Sequence, residues 1–590
     1  MRIAVLNKDK CQPKKCSQEC IRYCPKVRSG VETIVMGEKG KPVITESLCV
    51  GCGICVHKCP FGAIQIINLV EELDGELVQQ YGMNGFRLYR LPIPRQGEVV
   101  GMLGPNAIGK TTAFKILSGQ EIPNLGNIDS EPSWEPVLEK YAGTELHNHL
   151  VKVAAGEITF SFKPQYVDML PRVHAGKVRA LLEKVETKKD LGEVASQMDL
   201  GSCLDRDIGK LSGGELQRVA IAATVLKEAD IYFFDEPSSY LDIYQRLKIA
   251  KVIQGIAKEK SVMVIEHDLA VLDFLADTVH LMYGSEGAFG VLAQPRTVRN
   301  AINTYLDGFL VEENIRIRDR NIKFETRAPR KDWSAVSLVD FGKLQKNFEK
   351  FTLTTEPGSI KAGEVVGVVG PNATGKTTFV KMLAGEISPD SGSIDANVKV
   401  SYKPQYIEPN FGGTVNELFM TEIGSRSATG FFKAEISTPL TLEPLMNRDL
   451  VSLSGGELQR VAIALALARE ADIYLIDEPS AYLDSNQRME AAKTIRRVIE
   501  KSGRSGMIVD HDVYFIDMVS DSIMVFGGEP SVAGTGEGPL AMREGMNLFL
   551  KNVDITFRRD NDTNRPRINK KDSRLDREQK SSGEFYYTEY

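Results

Sequence analysis

The chain has 590 residues, of which 42% are hydrophobic, and a formal net charge of −6. These values are typical of a globular protein with room for several domains of about 100–200 residues each. No apolar stretch reaches the roughly 18 residues that a membrane span requires, and the amino terminus has no apolar signal core, so we expect neither a membrane span nor secretion.

Residues 1–75 are predicted to form a metal-binding domain. Eight of the nine cysteines lie within the first 60 residues, and without a secretion signal a disulfide framework is not expected. The run Cys-x2-Cys-x2-Cys-x3-Cys-Pro that ends at Pro60 resembles that of bacterial ferredoxins, whereas the run that ends at Pro25 has longer first spacings. Two zinc ions, each bound by four cysteines, are the alternative.

The ferredoxin resemblance implies an α+β ferredoxin-like domain with two [4Fe–4S] clusters that exchange their fourth ligands. Cys203 stands alone later in the chain and is interpreted as a small buried hydrophobic side chain. One cluster would be held by Cys49, Cys52, Cys55 and Cys24, and the other by Cys11, Cys16, Cys20 and Cys59.

Residues 76–295 carry an ATP-binding pattern. The apolar run GEVVGMLG predicts a buried strand, the following GPNAIGKT predicts a phosphate-binding loop, and TTAFKILSG predicts a helix. Backbone N–H groups of such a loop surround the phosphates, and the helix N-terminus adds partial positive charge. Lys110 would reach the β- and γ-phosphates, and Thr111 would bind Mg²⁺.

Two further motifs follow this loop. The sequence YFFDEP places an acidic pair at the end of an apolar strand. Asp235 would hold Mg²⁺, directly or through water, and Glu236 would act as general base on the attacking water. The sequence LSGGE, which begins at Leu211, presents a serine and two glycines at a helix start and so predicts a second anion site.

The same motifs recur in residues 336–535, so the chain contains an internal duplication. The copies are offset by 266 residues at the Gly-rich loop but by 240 at KPQY, so the first copy carries about 26 extra residues. Within this insert, at about 128–155, two short amphipathic helices are predicted on either side of Gly143. The insert is interpreted as a docking surface or a stabilising elaboration.

The remaining segments lie after each repeat. Residues 296–335 are rich in Arg and are predicted to be a hinge or linker. Residues 536–590 are predicted to be a C-terminal hinge and basic tail with little periodicity, either ordered by packing or flexible.

The motifs of both repeats resemble those of the ABC ATPase family. The resemblance implies an α/β fold with two tandem ABC-type nucleotide-binding domains, of the P-loop NTPase class, that pair head to tail around two ATP molecules. In each site the Gly-rich loop of one repeat would meet the LSGGE of the other, the glutamine of KPQY would sense Mg²⁺ and the attacking water, and a histidine would contact the γ-phosphate.

The resemblance assigns residues to each role. The loop residues are Gly104, Pro105, Asn106, Gly109, Lys110, Thr111 and Thr112, and Gly370, Pro371, Asn372, Gly375, Lys376, Thr377 and Thr378. The signature residues are Ser212, Gly213, Gly214 and Glu215, and Ser454, Gly455, Gly456 and Glu457. The catalytic residues are Glu236, Glu478, Gln165, Gln405, His267 and His511. The magnesium ligands are Thr111, Gln165, Asp235, Thr377, Gln405 and Asp477.

Adenine usually stacks on an aromatic side chain upstream of the first strand of such a domain. Tyr81 and Phe86 are the candidates in the first repeat, and Phe348 and Phe351 are those in the second. Each of the four could equally belong to the hydrophobic core.

The cysteine domain, the two fused repeats, the insert and the basic segments together resemble the E-subfamily of ABC proteins, the ribosome-recycling ATPases also called RNase L inhibitors. The resemblance implies that ATP-driven closure and opening of the cassettes splits ribosomes into subunits after termination or rescue, with the cluster domain as a lever. It implies a cytoplasmic monomer, of archaeal type, with a release factor or its Pelota-like rescue paralogue as partner.

Charge agrees with a ribosomal partner. Residues 1–60 contain eleven Lys or Arg against five Asp or Glu, so this domain has a surplus of positive charge for the rRNA of the small subunit. A merely solvated charged surface is the alternative for such a segment. A transporter-type ABC ATPase and an ATP-coupled iron–sulfur redox protein are the alternative functions.

Overall fold

The computed structural model describes residues 2–8, 10–37, 40–46, 48–68, 71–185, 190–318, 321–324, 336–395, 398–405 and 411–586. Residues 319–320 and 325–335 of the predicted linker, and 587–590 of the predicted tail, lie outside these ranges. The chain divides into two units. The first contains Met1–Pro237, Lys251–His267 and Leu275–Asp319, and the second contains Ser238–Ala250, Asp268–Phe274 and Arg320–Tyr590.

The amino-terminal region is a small α+β domain. Two antiparallel strand pairs, β1 with β4 and β2 with β3, flank three short helices. Its hydrophobic core is small and includes three of the cysteines, and a core of this size seldom stabilises a domain without a disulfide or a metal. The elements are β1 Arg2–Leu6, α1 Glu19–Arg22, α2 Pro25–Arg28, β2 Ile34–Met36, β3 Pro42–Ile44, α3 Ile54–Lys58 and β4 Ile64–Asn68.

The first repeat is built on a mixed sheet. The strands are β5 Leu77–Gln80, β6 Arg87–Tyr89, β7 Val99–Leu103, β8 Phe160–Lys163, β9 Ile231–Asp235, β10 Ser261–Ile265, β11 Thr278–Ser285, β12 Phe289–Leu292 and β13 Arg296–Thr297. In the described residues their order is β5-β6-β12-β11-β7-β10-β9-β8, with β13 beside β11. The stretch from β11 to β8 is parallel. Strands β7 and β9 are buried at every position, as is typical of a parallel sheet covered on both faces.

Helices surround this sheet. They are α4 Lys110–Leu117, α5 Trp134–Tyr141, α6 His147–Ala154, α7 Leu170–Val173, α8 Val178–Val185, α9 Leu191–Gln197, α10 Gly213–Leu226, α11 Ile243–Ala257, α12 Leu269–Leu275 and α13 Val298–Asp307. The two insert helices predicted from the sequence are α5 and α6. Each buries one apolar side chain completely in the core of the repeat, Val137 and Leu150, and Gly143 between them has a φ of 79°. A short antiparallel pair, β14 Phe309–Leu310 and β15 Ile315–Arg316, follows α13.

The second repeat has the same architecture. Its strands are β16 Ser337–Phe341, β17 Leu344–Asn347, β18 Thr352–Thr355, β19 Gly358–Lys361, β20 Val365–Val369, β21 Ile394–Asp395, β22 Val400–Lys403, β23 Ile473–Asp477, β24 Ser505–Val509, β25 Ser522–Glu529 and β26 Ala533–Ala541. The main sheet has the order β17-β18-β26-β25-β20-β24-β23-β22, and β16 pairs with β19 and β21. The helices are α14 Lys376–Leu383, α15 Val415–Ile423, α16 Gly455–Ala468, α17 Ser485–Ser502 and α18 Val513–Val519.

The C-terminal segment is more regular than its sequence indicates. Strand β26 continues past the predicted boundary at 535. Helix α19 Met542–Asn552 buries Met546, Phe549 and Leu550 on one face, although little periodicity was expected here. The segment then forms β27 Phe557–Arg559, β28 Pro566–Ile568 and α20 Arg574–Ser582.

Candidate nucleotide and cluster sites

The predicted catalytic side chains of the first repeat follow four neighbouring parallel strands. The Gly-rich loop follows β7, Asp235 ends β9, His267 lies just after β10 and Gln165 just after β8. Because the carboxyl ends of parallel strands lie at one edge of a sheet, the fold brings all four to the same place. The second repeat has the same arrangement on β20, β23, β24 and β22.

Each Gly-rich loop is held in shape by its own lysine. The Nζ atom of Lys110 donates to the carbonyl oxygens of Gly104 at 2.8 Å and Pro105 at 2.6 Å. Helix α4 starts at this lysine, after Gly109 with a φ of 93°, so the helix N-terminus faces the loop and favours an anion there. Lys376 makes the same two bonds, to Gly370 at 2.9 Å and Pro371 at 2.6 Å.

A hydroxyl and a carboxylate meet beside each loop. Thr111 Oγ1 donates to Asp235 Oδ2 at 2.8 Å, and Thr377 Oγ1 donates to Asp477 Oδ2 at 2.7 Å. Burial, followed by the carboxylate of Glu236, raises the pKa of Asp235 to about 6. A buried aspartate and a partly exposed glutamate next to a hydroxyl form a set of oxygen donors that fits Mg²⁺.

Three predicted catalytic side chains converge in each repeat. Gln165 Nε2 donates to Glu236 Oε1 at 2.5 Å, and His267 Nε2 lies 3.6 Å from the same oxygen. In the second repeat the three are Glu478, Gln405 at 2.7 Å and His511 at 3.5 Å.

The carboxylate of Glu478 is strongly stabilised in its ionised form. Burial acts to raise its pKa, but the imidazole of His511, 3.5 Å away, and the hydrogen bond of Gln405 outweigh burial and lower the pKa to about 2. The carboxylate is therefore ionised, which is the form in which a general base acts, although a pKa this far below neutral makes it a weak proton acceptor.

The backbone at both glutamates is unusual. Glu236 has a φ of 48° and Glu478 has a φ of 47°, which is the left-handed region that costs an L-residue roughly 1–2 kcal/mol. Such strain persists only when surrounding contacts fix the backbone, and it occurs often at functional sites.

The two signature segments form capped helix starts. Ser212 is the N-cap of α10, and its Oγ accepts from the N–H of Glu215, whose carboxylate in turn accepts from the Ser212 N–H at 2.8 Å. Ser454 and Glu457 repeat this capping box on α16. Each helix has 14 residues, so each N-terminus carries a full helix dipole for an anion.

One contact was not predicted from the sequence. In the second unit, the Asn372 N–H of the Gly-rich loop donates to Asp242 Oδ2 at 2.9 Å, and its Nδ2 donates to the carbonyl of Tyr240 at 3.3 Å. Asp242 and Tyr240 belong to the segment that directly follows the first Asp–Glu pair. The recurrence of SSYLD and SAYLD after the two pairs is the sequence signal that could have indicated it.

One aromatic ring of each predicted pair lies against a Gly-rich loop. A Cβ atom on Gly109 would come within 2.8 Å of the Phe86 ring, and one on Gly375 would come within 3.1 Å of the Phe351 ring. Tyr81 lies 6.3 Å from Phe86 between ring centroids. The corresponding distance between Phe348 and Phe351 is also 6.3 Å. Adenine stacking at these rings stays a prediction.

The eight amino-terminal cysteines fall into two electrostatic groups. Burial, followed by the neighbouring thiols of Cys59, Cys11 and Cys16, raises the pKa of Cys20 to about 11. Burial, followed by the thiols of Cys49, Cys52 and Cys24, raises the pKa of Cys55 to about 12. These groups have the same membership as the two ligand sets implied by the ferredoxin resemblance.

The surroundings of the thiols fit iron–sulfur ligation. One group, Cys11, Cys16, Cys20 and Cys59, lines a pocket with Pro13, Phe61 and Ile64 among its walls. Backbone N–H groups of Gly51 and Ala63 donate to the sulfurs of Cys49 at 3.5 Å and Cys59 at 3.4 Å, and such bonds are known to tune clusters. Among the described residues, no three or more His, Cys, Asp or Glu side chains form a compact group around a single metal ion.

These features define an ATPase of the ABC type with an iron–sulfur-binding amino-terminal domain. The sequence profile of the ABC transporter family matches residues 94–239 and 356–481. The profile of a possible Fer4-like domain in RNase L inhibitor matches residues 1–32, and that of a 4Fe-4S binding domain matches residues 42–65. No described helix has the length and apolar character to cross a membrane.

Full-length relatives give the family. An uncharacterized ABC transporter ATP-binding protein of Methanocaldococcus jannaschii is 51% identical over 100% of this chain and 98% of its own length. The translation initiation factor rli1 of Schizosaccharomyces pombe is 46% identical over 100% of this chain and 99% of its own length. A structure described as a model of ribosome-bound archaeal Pelota and ABCE1 is 52% identical, covers 100% of this chain and 99% of its own, and has a TM-score of 0.94. The chain belongs to the RNase L inhibitor family, the E-subfamily of ABC proteins.

Proposed function

We propose that this ATPase recycles ribosomes, and that ATP binding and hydrolysis drive cassette movements that split ribosomes into subunits after termination or rescue. The observation that carries the proposal is the full-length likeness to the ribosome-bound archaeal ABCE1, which includes the cysteine domain and the insert as well as the cassettes. We infer a cytoplasmic protein that binds the small subunit and its rRNA together with a release factor or Pelota-like paralogue.

The roles proposed for the two ATP sites follow from their geometry. Lys110 and Lys376 would bind phosphate. The threonine, aspartate and KPQY glutamine of each site would hold Mg²⁺, which would supply positive charge to neutralise the phosphates. Glu236 and Glu478 orient the attacking water and accept its proton. The observations in support are the hydrogen bond from each glutamine and the close approach of each histidine.

We propose a monomer whose two cassettes pair around ATP. The hydrogen bond from Asn372 to Asp242 supports this pairing, because it joins one Gly-rich loop to the segment after the other repeat's Asp–Glu pair. Closing a clamp that is mostly open requires roughly 5 kcal/mol of differential affinity. Two γ-phosphates with several charge-assisted hydrogen bonds of about 1.5–3 kcal/mol each can supply it.

The domain limits and the clusters complete the proposal. We propose limits at 1–75, 76–295, 296–335, 336–535 and 536–590, and two [4Fe–4S] clusters in the first domain. The ligand sets are those grouped by the thiol electrostatics. A cluster of this type can transfer electrons, and here it would make the small domain rigid enough to act as a lever.

Sedimentation of ribosomes tests the function. Whole ribosomes incubated with the protein, ATP and a release factor or Pelota-like partner should separate into subunits, with the protein remaining on the small one. The double variant Glu236→Gln, Glu478→Gln serves as the control, since it should bind ATP without completing a cycle. The proposal fails if ribosomes remain whole and the protein never sediments with the small subunit.

A further inference from the structure

The main-chain carbonyl of Glu236 is held by two buried side chains. The Nζ atom of Lys163, from KPQY, donates to the carbonyl oxygens of Asp235 at 2.8 Å and Glu236 at 3.2 Å. The Nε2 atom of Gln217, from the helix that follows LSGGE, donates to those of Glu236 at 2.7 Å and Pro237 at 2.9 Å. The N–H of Glu236 donates to Ile265 at 2.9 Å, so its peptide groups are fixed on both sides.

The second repeat makes the matching contacts to the Asp–Glu pair. Lys403 Nζ donates to the carbonyls of Asp477 at 2.7 Å and Glu478 at 3.3 Å, and Gln459 Nε2 donates to Glu478 at 2.7 Å. The Glu478 N–H donates to Val509 at 2.8 Å. The arrangement is therefore built twice in one chain.

The four side chains that hold these carbonyls are buried, which is energetically unfavourable for polar groups. Lys163 and Gln217 are 0% exposed, and Lys403 and Gln459 are 1% exposed. Removing an amine or an amide from water is unfavourable unless its hydrogen bonds are replaced. The N–H groups of these four side chains donate to the backbone of the Asp–Glu segment, which links that segment to the strand of KPQY and to the signature helix. The amide oxygens of Gln217 and Gln459 are buried without a hydrogen-bond partner among the described residues.

These contacts explain how the strained glutamate backbone is maintained. The left-handed conformations at Glu236 and Glu478 are unfavourable unless neighbouring groups fix them. The direction of each carboxylate depends on this backbone, and displacement of a reacting group by about 1 Å can cost roughly 10²-fold in rate.

We propose that Lys163 with Gln217, and Lys403 with Gln459, are positioning residues that hold each glutamate's carbonyl and so aim its carboxylate at the attacking water. Each glutamine also joins the signature helix of a cassette to the glutamate of the same cassette. The proposal rests on the proposed general-base role of Glu236 and Glu478.

The test uses full-length, cluster-loaded protein in which one glutamate is disabled. In a Glu478→Gln chain, Lys163→Met should slow single-turnover phosphate release by about 10²-fold, while the ATP dissociation constant stays within about twofold. In a Glu236→Gln chain, Lys163→Met should add no comparable loss, because the group that it positions is already gone. Lys403→Met should slow phosphate release in the Glu236→Gln chain and add no comparable loss in the Glu478→Gln chain. Gln217→Leu should give the same result as Lys163→Met, and Gln459→Leu the same result as Lys403→Met.

Ser161→Ala and Ser401→Ala are matched controls. Each serine lies on the same buried strand as the lysine, and each donates to a helix carbonyl away from the Asp–Glu segment, Thr224 at 2.9 Å or Ala466 at 2.8 Å. The serine variants remove a buried hydrogen bond of the strand without touching the Asp–Glu segment. Phosphate release should therefore be unchanged in them.

The outcomes separate the possibilities. Equal losses from a lysine variant in both backgrounds, losses matched by the serine controls, or no loss in either background would overturn the positioning role. If the double variant Glu236→Gln, Glu478→Gln keeps full turnover, the general-base assignment itself fails, whatever the lysine variants do.

Discussion

Each ATP site places an acid–amide–imidazole group at the end of a parallel sheet. In the second site, the nearby imidazole of His511 and the hydrogen bond from Gln405 lower the pKa of the Glu478 carboxylate to about 2, despite its burial. The carboxylate therefore remains ionised across the whole physiological pH range. Its partners also fix its orientation, which a free surface carboxylate lacks.

Replacing both glutamates should stop turnover but not binding. In the double variant Glu236→Gln, Glu478→Gln, the amide keeps the shape but cannot accept the proton, so kcat should fall by at least about 10²-fold. Phosphate release measures the loss, and ATP binding measured separately should be retained. An unchanged kcat would contradict the general-base role.

The motif residues were predictable because the residues that share one role lie next to each other in short sequence motifs. A Gly-rich loop after an apolar strand and an Asp–Glu pair at a strand end each specify a role without knowledge of the fold. Lys163 and Gln217 were not assigned roles because their partners are main-chain carbonyls far along the chain, which no side-chain pattern reveals. Adenine stacking on the aromatic rings beside the Gly-rich loops stays a prediction.

At the scale of elements, prediction succeeded where one local pattern was strong. The buried strand β7, the helix α4 and the two insert helices were all expected from apolar runs and spacing, and the structure confirms these elements. Helix α19 was missed because its polar face dominates the composition, although its buried residues recur at helical spacing. Tertiary packing of its buried face, rather than local hydrophobicity, stabilises this helix.

One substitution in the amino-terminal domain tests the assignment of the cysteines to two cluster sites. Cys52→Ser removes one thiol from one group of four, so iron should fall from about eight to about four atoms per chain. ATP binding should be kept, because the Gly-rich loops lie elsewhere in the chain. Iron and sulfide analysis with the visible absorbance reports the change.

Cys203→Ser is the control for this measurement. Cys203 is buried in the first repeat, outside both groups of cysteines. The iron content of the Cys203→Ser variant should therefore equal that of the unchanged chain. Full iron content in Cys52→Ser would contradict the assigned ligand set.

At the scale of the molecule, contacts distant in sequence hold the C-terminal segment in the second unit. Arg565, which is fully buried, donates to Asp273 at 3.0 Å and to the Tyr514 hydroxyl at 2.8 Å. Arg567 donates to the same carboxylate at 2.7 and 3.0 Å. The sequence showed only a basic tail; it could not show that one aspartate almost 300 residues away accepts from both arginines.

Removing this carboxylate should weaken the second unit. Asp273→Asn removes the anion that pairs with the buried guanidinium group of Arg565, while Arg567 keeps its 3.3 Å contact with Asp560. Breaking a buried ion pair costs about 3–5 kcal/mol. We expect the unfolding midpoint of the second unit to fall by several degrees in calorimetry.

The exposed pair of Arg574 and Glu578, in the same unit, provides the comparison. Both side chains are well exposed to solvent, so Glu578→Gln should leave the midpoint unchanged, because exposed pairs contribute little. Equal midpoints for Asp273→Asn and the unchanged chain would show that the buried pair is not stabilising.

The grouping of the cysteines also bears on biosynthesis. Each group mixes thiols from both runs, since Cys24 belongs with the later run and Cys59 with the earlier one. As the polypeptide is made, the first group is complete only when residue 55 has been added, and the second only four residues later. With the proposed ligand sets, neither [4Fe–4S] cluster could have all its ligands before nearly the whole domain has been made.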